Sequence, residues 1–309
     1  MITGNFWKNE VADGYLNLLA PIQQIQEPWK GGTYLPYLFG DNSTYINPNY
    51  VRIFGALAIY AMNTGDTAQY NKLRWMIDNL PPGGTNYRPT DISTALSHSS
   101  LSMPIMYFLS VDPTVVSVPD PRPSIGTDYF APGAGIVSTK SGWTNTDTWL
   151  VQKLSWVGVD HEHGDGNAIS LSRGGEWLTK PSAGYGVNIG SSDYQNTLSI
   201  ENPGAFYSFD DWSANAARGS QWEYDSAGDP PALTYSFAPS YTFIQGDATN
   251  LYNNTLIPAV DVLHASRSTF YLKSGIVVVY DRATSATAGR YKRSYLNTPT
   301  LPSITGNTA

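Results

Sequence analysis

Apolar residues recur at helical spacing through the first 110 residues, and the pattern turns strand-like after about residue 128. Asn47-Pro48 reads as a helix start, with Asn as the cap and Pro at the first helical position. Val51, Phe54, Leu57, Ala58 and Ala61 then follow on one helical face, and Thr64-Gly65-Asp66 ends the segment. Leu73, Met76, Ile77 and Leu80 mark the next helix, which Pro81-Pro82-Gly83-Gly84 stops. A third helix is expected from Asp91 to Phe108 with a break at Pro104, and a weaker one from Phe6 to Leu19.

Residues 113–127 fall within a stretch carrying four prolines, which excludes helix continuation and central strands and reads as a linker. Beyond it, Asp147–Val157 favours a strand. Ala168–Ser172 and Glu176–Leu178 flank Gly174-Gly175 as a hairpin. Thr269–Leu272 and Ile276–Tyr280 form a second hairpin signal, whereas 201–255 reads as loop. The expected organisation is a helical part over 1–112, the linker, and antiparallel sheets in a sandwich over 128–309.

Composition narrows the function. Of 309 residues 41% are hydrophobic and only 14% charged, so neither disorder nor a coiled coil fits. The net charge is −7, a field that repels nucleic acid and anionic lipid. No run approaches the ~20 apolar residues of a membrane helix. Cysteine is absent, which removes disulfides, thiolate metal sites and Cys nucleophiles. The 21 Tyr and 9 Trp suit either a sugar-binding cleft or a β-rich core.

The densest chemistry is Asp160-His161-Glu162-His163-Gly164-Asp165-Gly166. On a strand, His161, His163 and Asp165 would share a face, an arrangement able to offer nitrogen to zinc; a polar loop entering a strand is the other reading. Gly164 and Gly166 imply close backbone packing there. His264 reads as a sheet residue and His98 as a surface helix position. Asp210, Asp211, Asp225 and Asp229 could supply a carboxylate pair for glycoside hydrolysis, or sit in solvated loops. No Gly-x-Ser-x-Gly elbow, P-loop or dinucleotide fingerprint occurs.

Residues 147–202 resemble the β-sandwich domain of the heparinase II/III-like polysaccharide lyases. The shared order is a strand (Asp147–Leu154), then His161-x-His163-x-Asp165, then Gly175-x-Trp177-Leu178, then Tyr185, then Asn196-Thr197 opening a strand. The segment IVVVYDR at 276–282 looks like a later strand of that family, and 40–66 is similar to its late α/α-toroid helices. The resemblance implies a partial α/α toroid followed by the sandwich. It also implies cleavage of a uronate-containing glycan by β-elimination and a periplasmic or secreted setting, although no signal peptide is visible.

By the same resemblance His161 faces the cleft as the catalytic residue, and His163, with Asp165 nearby, is the metal ligand. Two family positions differ. Thr179-Lys180-Pro181 stands where an Asp ligand belongs, and Gln195 stands where a His ligand belongs. Zinc is therefore expected to bind weakly or not at all. Because the net charge disfavours long-range capture of a polyanion, local groups such as Arg173, Lys180 and Gln195 are expected to contact substrate. A glycoside hydrolase and a non-catalytic carbohydrate-binding module are the alternative functions.

Overall fold

The structure is a computed structural model describing residues 12–17, 37, 39–40, 50–79, 105, 108–144, 146–154, 163–182, 184, 190–202, 219–222, 226–254, 259–300, 303 and 305. The chain divides into two compact units, Met1–Tyr37 with Thr44–Gly126, and Leu38–Ser43 with Thr127–Ala309.

In the first unit, α1 (Ala12–Asn17), α2 (Tyr50–Asn63) and α3 (Thr67–Asn79) are described. Phe54, Leu57, Ala58 and Ala61 of α2 meet Tyr70, Leu73, Met76 and Ile77 of α3, with Leu16 of α1 in the same apolar cluster. The two-helix turn works as its residues suggest. Gly65 takes φ +72°, a left-handed value that suits glycine, and the Asp66 carboxylate accepts from the Gln69 amide at 3.1 Å, capping α3. The described helices thus show a hairpin with α1 packed on it, and the expected toroid is not among them. Most of the expected 91–108 helix, and Asn47-Pro48, lie outside the described residues.

The Pro-rich segment lies against this hairpin. Val111, Val115, Val118 and Ile125 pack on its apolar cluster. The Arg74 guanidinium donates to the carbonyls of Asp112 and Val115, each at 3.3 Å. Tyr70 Oη accepts from the Asp112 amide at 2.8 Å. A segment that cannot build its own ladder has its backbone groups satisfied by side chains instead.

The second unit is β. One sheet runs β1 (Asp128–Ala131), β2 (Ile136–Lys140), β3 (Thr148–Lys153), β4 (Ala168–Arg173), β5 (Glu176–Thr179) in that spatial order, all antiparallel. β6 (Leu198–Ile200) pairs with β11 (Lys292–Ser294) as a separate ribbon. A second sheet has the order β10 (Ile276–Ser285), β9 (Val262–Leu272), β8 (Tyr241–Asp247), β7 (Thr234–Ala238). Both expected hairpins, β4–β5 and β9–β10, are present.

The two larger sheets share one core, the layer arrangement of a sandwich. Val137, Leu150 and Ile169 from one meet Ile244, Ala265 and Tyr271 from the other. Each such buried aliphatic side chain contributes about 1.5–3 kcal/mol. Thr139 and Thr242 hydroxyls bond across the layers at 2.9 Å.

The expected loop at 201–255 is corrected by β7 and β8, a hairpin turning at Pro239-Ser240. Its strand signal is the alternation Tyr241-Thr-Phe-Ile-Gln, in which the inward residues include polar Thr242 as well as Ile244. Among the described residues no helix is long and apolar enough to cross a membrane.

Candidate functional site

β3 and β4 are neighbours in the first sheet, and the segment before β4 carries the histidine motif. Structure corrects the expected geometry here: His163–Asn167 is a turn, not a strand, and β4 begins only at Ala168. The Asp165 amide donates to the His163 carbonyl at 2.7 Å and the Ala168 amide to the Asp165 carbonyl at 2.8 Å. Two-residue alternation does not apply in such a turn, so His163 and Asp165 take different partners. His161 and Tyr185 lie outside the described residues.

His163 is fully buried, and its Nδ1 lies 3.1 Å from Gln195 Nε2. With the Gln195 amide as donor, Nδ1 is the acceptor and the ring proton belongs on Nε2. Asp165 is buried too, and its Oδ1 is 2.5 Å from Lys153 Nζ, from β3. The Lys153 ammonium also lies 4.9 Å from the centre of the Phe39 ring.

The turn is packed as closely as its glycines suggest. A Cβ on Gly164 would meet Ser220 Oγ at 2.8 Å and Ser192 Oγ at 2.9 Å. Ser192 Oγ donates to the Gly164 carbonyl at 2.6 Å. The Gln221 side-chain amide brackets Gly166 as a strand would, accepting from its amide at 2.8 Å and donating to its carbonyl at 2.9 Å. Thr197 Oγ1 donates to that same carbonyl at 2.6 Å. Gln221 Nε2 also donates to Tyr252 Oη at 3.0 Å, and that hydroxyl donates to the Leu198 carbonyl at 2.6 Å. Burial pushes the Tyr252 hydroxyl up to about 12, so it stays a neutral donor.

The remaining expected contact residues separate. Arg173 stands at the β4–β5 turn, where its guanidinium donates to Thr148 Oγ1 at 3.0 Å and to the Gly275 carbonyl in the β9–β10 turn. It therefore staples two hairpins. Lys180 follows the other end of β5, half-buried, with its ammonium 5.6 Å from the Trp177 ring centre. Gln195 sits with His163, as above. Asp229 is exposed, and Asp210, Asp211, Asp225 and His98 lie outside the described residues. His264, on β9, has Nε2 2.7 Å from Ser266 Oγ, consistent with a sheet residue.

No family model matches the sequence, and no curated protein matches it. Solved structures similar to it include heparinase III, 14% identical with a TM-score of 0.49, covering 89% of this chain and 33% of that chain. Another is heparan sulfate lyase HepC from Pedobacter heparinus, 14% identical with a TM-score of 0.44, covering 80% of this chain and 39% of that chain. The likeness is distant, and this chain spans well under half the length of either protein.

Two features escaped the sequence reading. One is the pair Lys140 and Lys153, each fully buried at the end of a strand of the first sheet. Lys140 Nζ donates to Ser138 Oγ at 3.2 Å and lies 4.5 Å from the Trp143 ring centre and 5.4 Å from that of Trp149. Burial pushes its amine well below the usual lysine range; Asp128 works against that shift and Lys273 adds to it. The signal was two lysines each closing a strand, at 140 and 153. The other is Arg267 on β9, fully buried and paired with Asp281 on β10 at 2.7 Å.

Proposed function

We propose that this chain is a polysaccharide-lyase-type protein, or a degenerate relative of one, that acts on a uronate-containing glycan by β-elimination. The observation that supports it is the meeting of His163 with Gln195, 32 residues apart in sequence. Gln195 adjoins Asn196-Thr197, so the contact joins the two ends of the run that resembles the lyase sandwich, although Gln195 itself departs from the family. Elimination needs a neutralised sugar carboxylate, a base for the C5 proton and an acid for the leaving oxygen. His161 is the proposed base or carboxylate partner, and Lys180 a proposed contact to the sugar acid. Arg173 is proposed to serve the fold as well as the sugar acid, because its Nε and Nη2 donate to Thr148 and Gly275.

Zinc of the family kind does not fit the donors present. Structural zinc takes four protein ligands and catalytic zinc three. Asp165 already binds Lys153, and Gln195 offers an amide where an imidazole is required. Among the described residues no group of three or more His, Cys, Asp or Glu could hold a metal ion. His163 and Asp165 are thus proposed to hold the turn together. Stoichiometric zinc in the purified protein, lost on His163→Ala, would overturn this.

The burial of His163, Asp165 and Gln195 favours a second reading, a non-catalytic glycan-binding module, since buried groups do not reach a substrate. Incubation with alginate, heparin or chondroitin separates the two. Elimination creates an unsaturated uronate that absorbs in the ultraviolet, and His161→Ala should abolish it. Binding without that absorbance points to the module, and new reducing ends without it point to hydrolysis.

A further inference from the structure

Three of the chain's 18 Lys and Arg fall within four positions, at Arg290, Lys292 and Arg293, interleaved with Tyr291 and followed by Tyr295. The structure makes this run the outer strand of a two-stranded ribbon. β11 pairs with β6 in the register Lys292 to Ile200, Arg293 to Ser199 and Ser294 to Leu198, and all three β11 residues are exposed.

The run continues past the ribbon toward the histidine site. The Tyr295 amide donates to the Thr197 carbonyl at 3.0 Å. The Asn297 amide donates to Asn196 Oδ1, next to Gln195. The Asn297 carbonyl in turn accepts from Thr179 Oγ1 at 2.9 Å and from the Lys180 amide at 3.2 Å. One extended segment therefore leads from Arg290 to Lys180, a span of about 23 Å at ~3.3 Å per residue.

The cations along it divide in two. Arg290 is spent on acids, Asp261 at 3.0 Å and Glu201 at 3.5 Å. Lys292 and Arg293 form no ion pair among the described residues. Each is held by a neutral group instead. Lys292 Nζ donates to the Arg290 carbonyl at 3.1 Å, and the Arg293 guanidinium lies 4.5 Å from the Tyr291 ring centre. Among the described residues no carboxylate pairs with either charge. The acids that act on neighbouring Tyr291 are Glu201, itself held by Arg290, and Asp193.

We infer that β11 and its flanks form a binding strip for an acidic polysaccharide lying along the exposed strand, with Lys292 from one face and Arg293 from the other pairing its anionic groups and Tyr295 offering a ring face to its sugars. The inference rests on the acidic-glycan reading above and adds the place and the residues. An exposed strand edge suits a linear polymer, because charged donors and rings recur along one direction. Charge density favours a glycan over nucleic acid. Duplex DNA carries a charge about every 1.7 Å, so it meets the repulsion of a −7 protein more strongly than a sparsely charged polyanion does. A uronate glycan has its charges spread sugar by sugar, within reach of two local cations.

The test compares the full chain with K292S/R293S for binding to heparin, which is sulfated, and to alginate, which carries only carboxylates. A short DNA duplex is a third probe. The variant should lose at least about tenfold in affinity for one or both glycans, and the slope of log affinity against log salt should fall by about two. Its melting temperature should not change, since both side chains are exposed. Loss on heparin alone identifies sulfate as the recognised group; loss on alginate as well identifies carboxylate. Equal glycan binding by both proteins overturns the strip and leaves the glycan reading standing. No glycan binding by the unmodified chain overturns both, and DNA binding lost in the variant reassigns the strip to nucleic acid.

Discussion

Arg267 donates from Nη1 to the carbonyl of Asn167 at 3.0 Å, and Asn167 is the residue that ends the His163 turn with φ +63°. The same nitrogen also donates to the carbonyl of Asn196, which has φ +51°. Left-handed backbone costs most non-glycine residues about 1–2 kcal/mol, and asparagine is among the few that adopt it as single residues. Here one buried guanidinium on β9 collects both carbonyls and is itself neutralised by Asp281. The second sheet thereby holds the two loops that bring His163 and Gln195 together.

Removing that guanidinium should loosen both loops at once. Arg267→Ala is expected to cost about 3–5 kcal/mol, because Asp281 loses its charge partner and two buried carbonyls lose their donor. Arg267→Lys should recover only part, since an ammonium cannot reproduce the planar fork. Urea unfolding of the three proteins measures this. A loss below about 1 kcal/mol for the Ala variant would contradict the role.

Asp281 gives the pair an acid limit. Burial works to raise its carboxyl, but the hydrogen bonds and charge of Arg267, helped by Ser294, outweigh burial and hold it below the ordinary 3.8. A carboxyl with a lowered native value stabilises the fold above its unfolded value and loses that contribution as pH falls through the native one. Asp281→Asn should therefore be less stable than the parent at neutral pH. The gap between them should close as pH is taken below about 4. A gap that stays constant down to acid unfolding would remove Asp281 from this account.

The buried Lys153–Asp165 pair predicts a strongly unequal set of variants. Asp165→Asn removes the carboxylate that neutralises the buried Lys153 ammonium and should cost about 3–5 kcal/mol. Replacing both partners, as Lys153→Met with Asp165→Leu, should recover most of that loss, because an apolar pair of similar volume needs no charge compensation. Thermal melts of the single and double variants give the answer, and a double variant as unstable as the single one would show that the pair does more than neutralise itself.

Two glycines should respond oppositely. Gly164→Ala places a methyl 2.8 Å from Ser220 Oγ and 2.9 Å from Ser192 Oγ, and should cost about 1–3 kcal/mol. A Cβ on Gly133, in the β1–β2 turn, meets nothing within 4 Å. Gly133→Ala should be neutral or stabilise by up to about 1 kcal/mol through the unfolded chain. The ordering of their unfolding midpoints checks both.

The α2–α3 hairpin and the β4–β5 and β9–β10 hairpins were legible in the sequence, because each rests on local signals. Helical spacing from Phe54 to Ala61, the break at Thr64-Gly65-Asp66, and Gly174-Gly175 or Gly275 at a turn act within a few residues. The tight packing at Gly164 was also legible, since a glycine beside charged residues signals a close neighbour. The partners of His163 and Asp165 were not. Alternation predicted a shared face, but a turn has no such period, and the choice of Gln195 for one and Lys153 for the other is made across the chain. Arg267 carries no local mark either: its role comes from a register that brings it beside Asp281 and from loops 71 and 100 residues away. Buried charges must find partners wherever the fold supplies them, and only the tertiary structure names those partners.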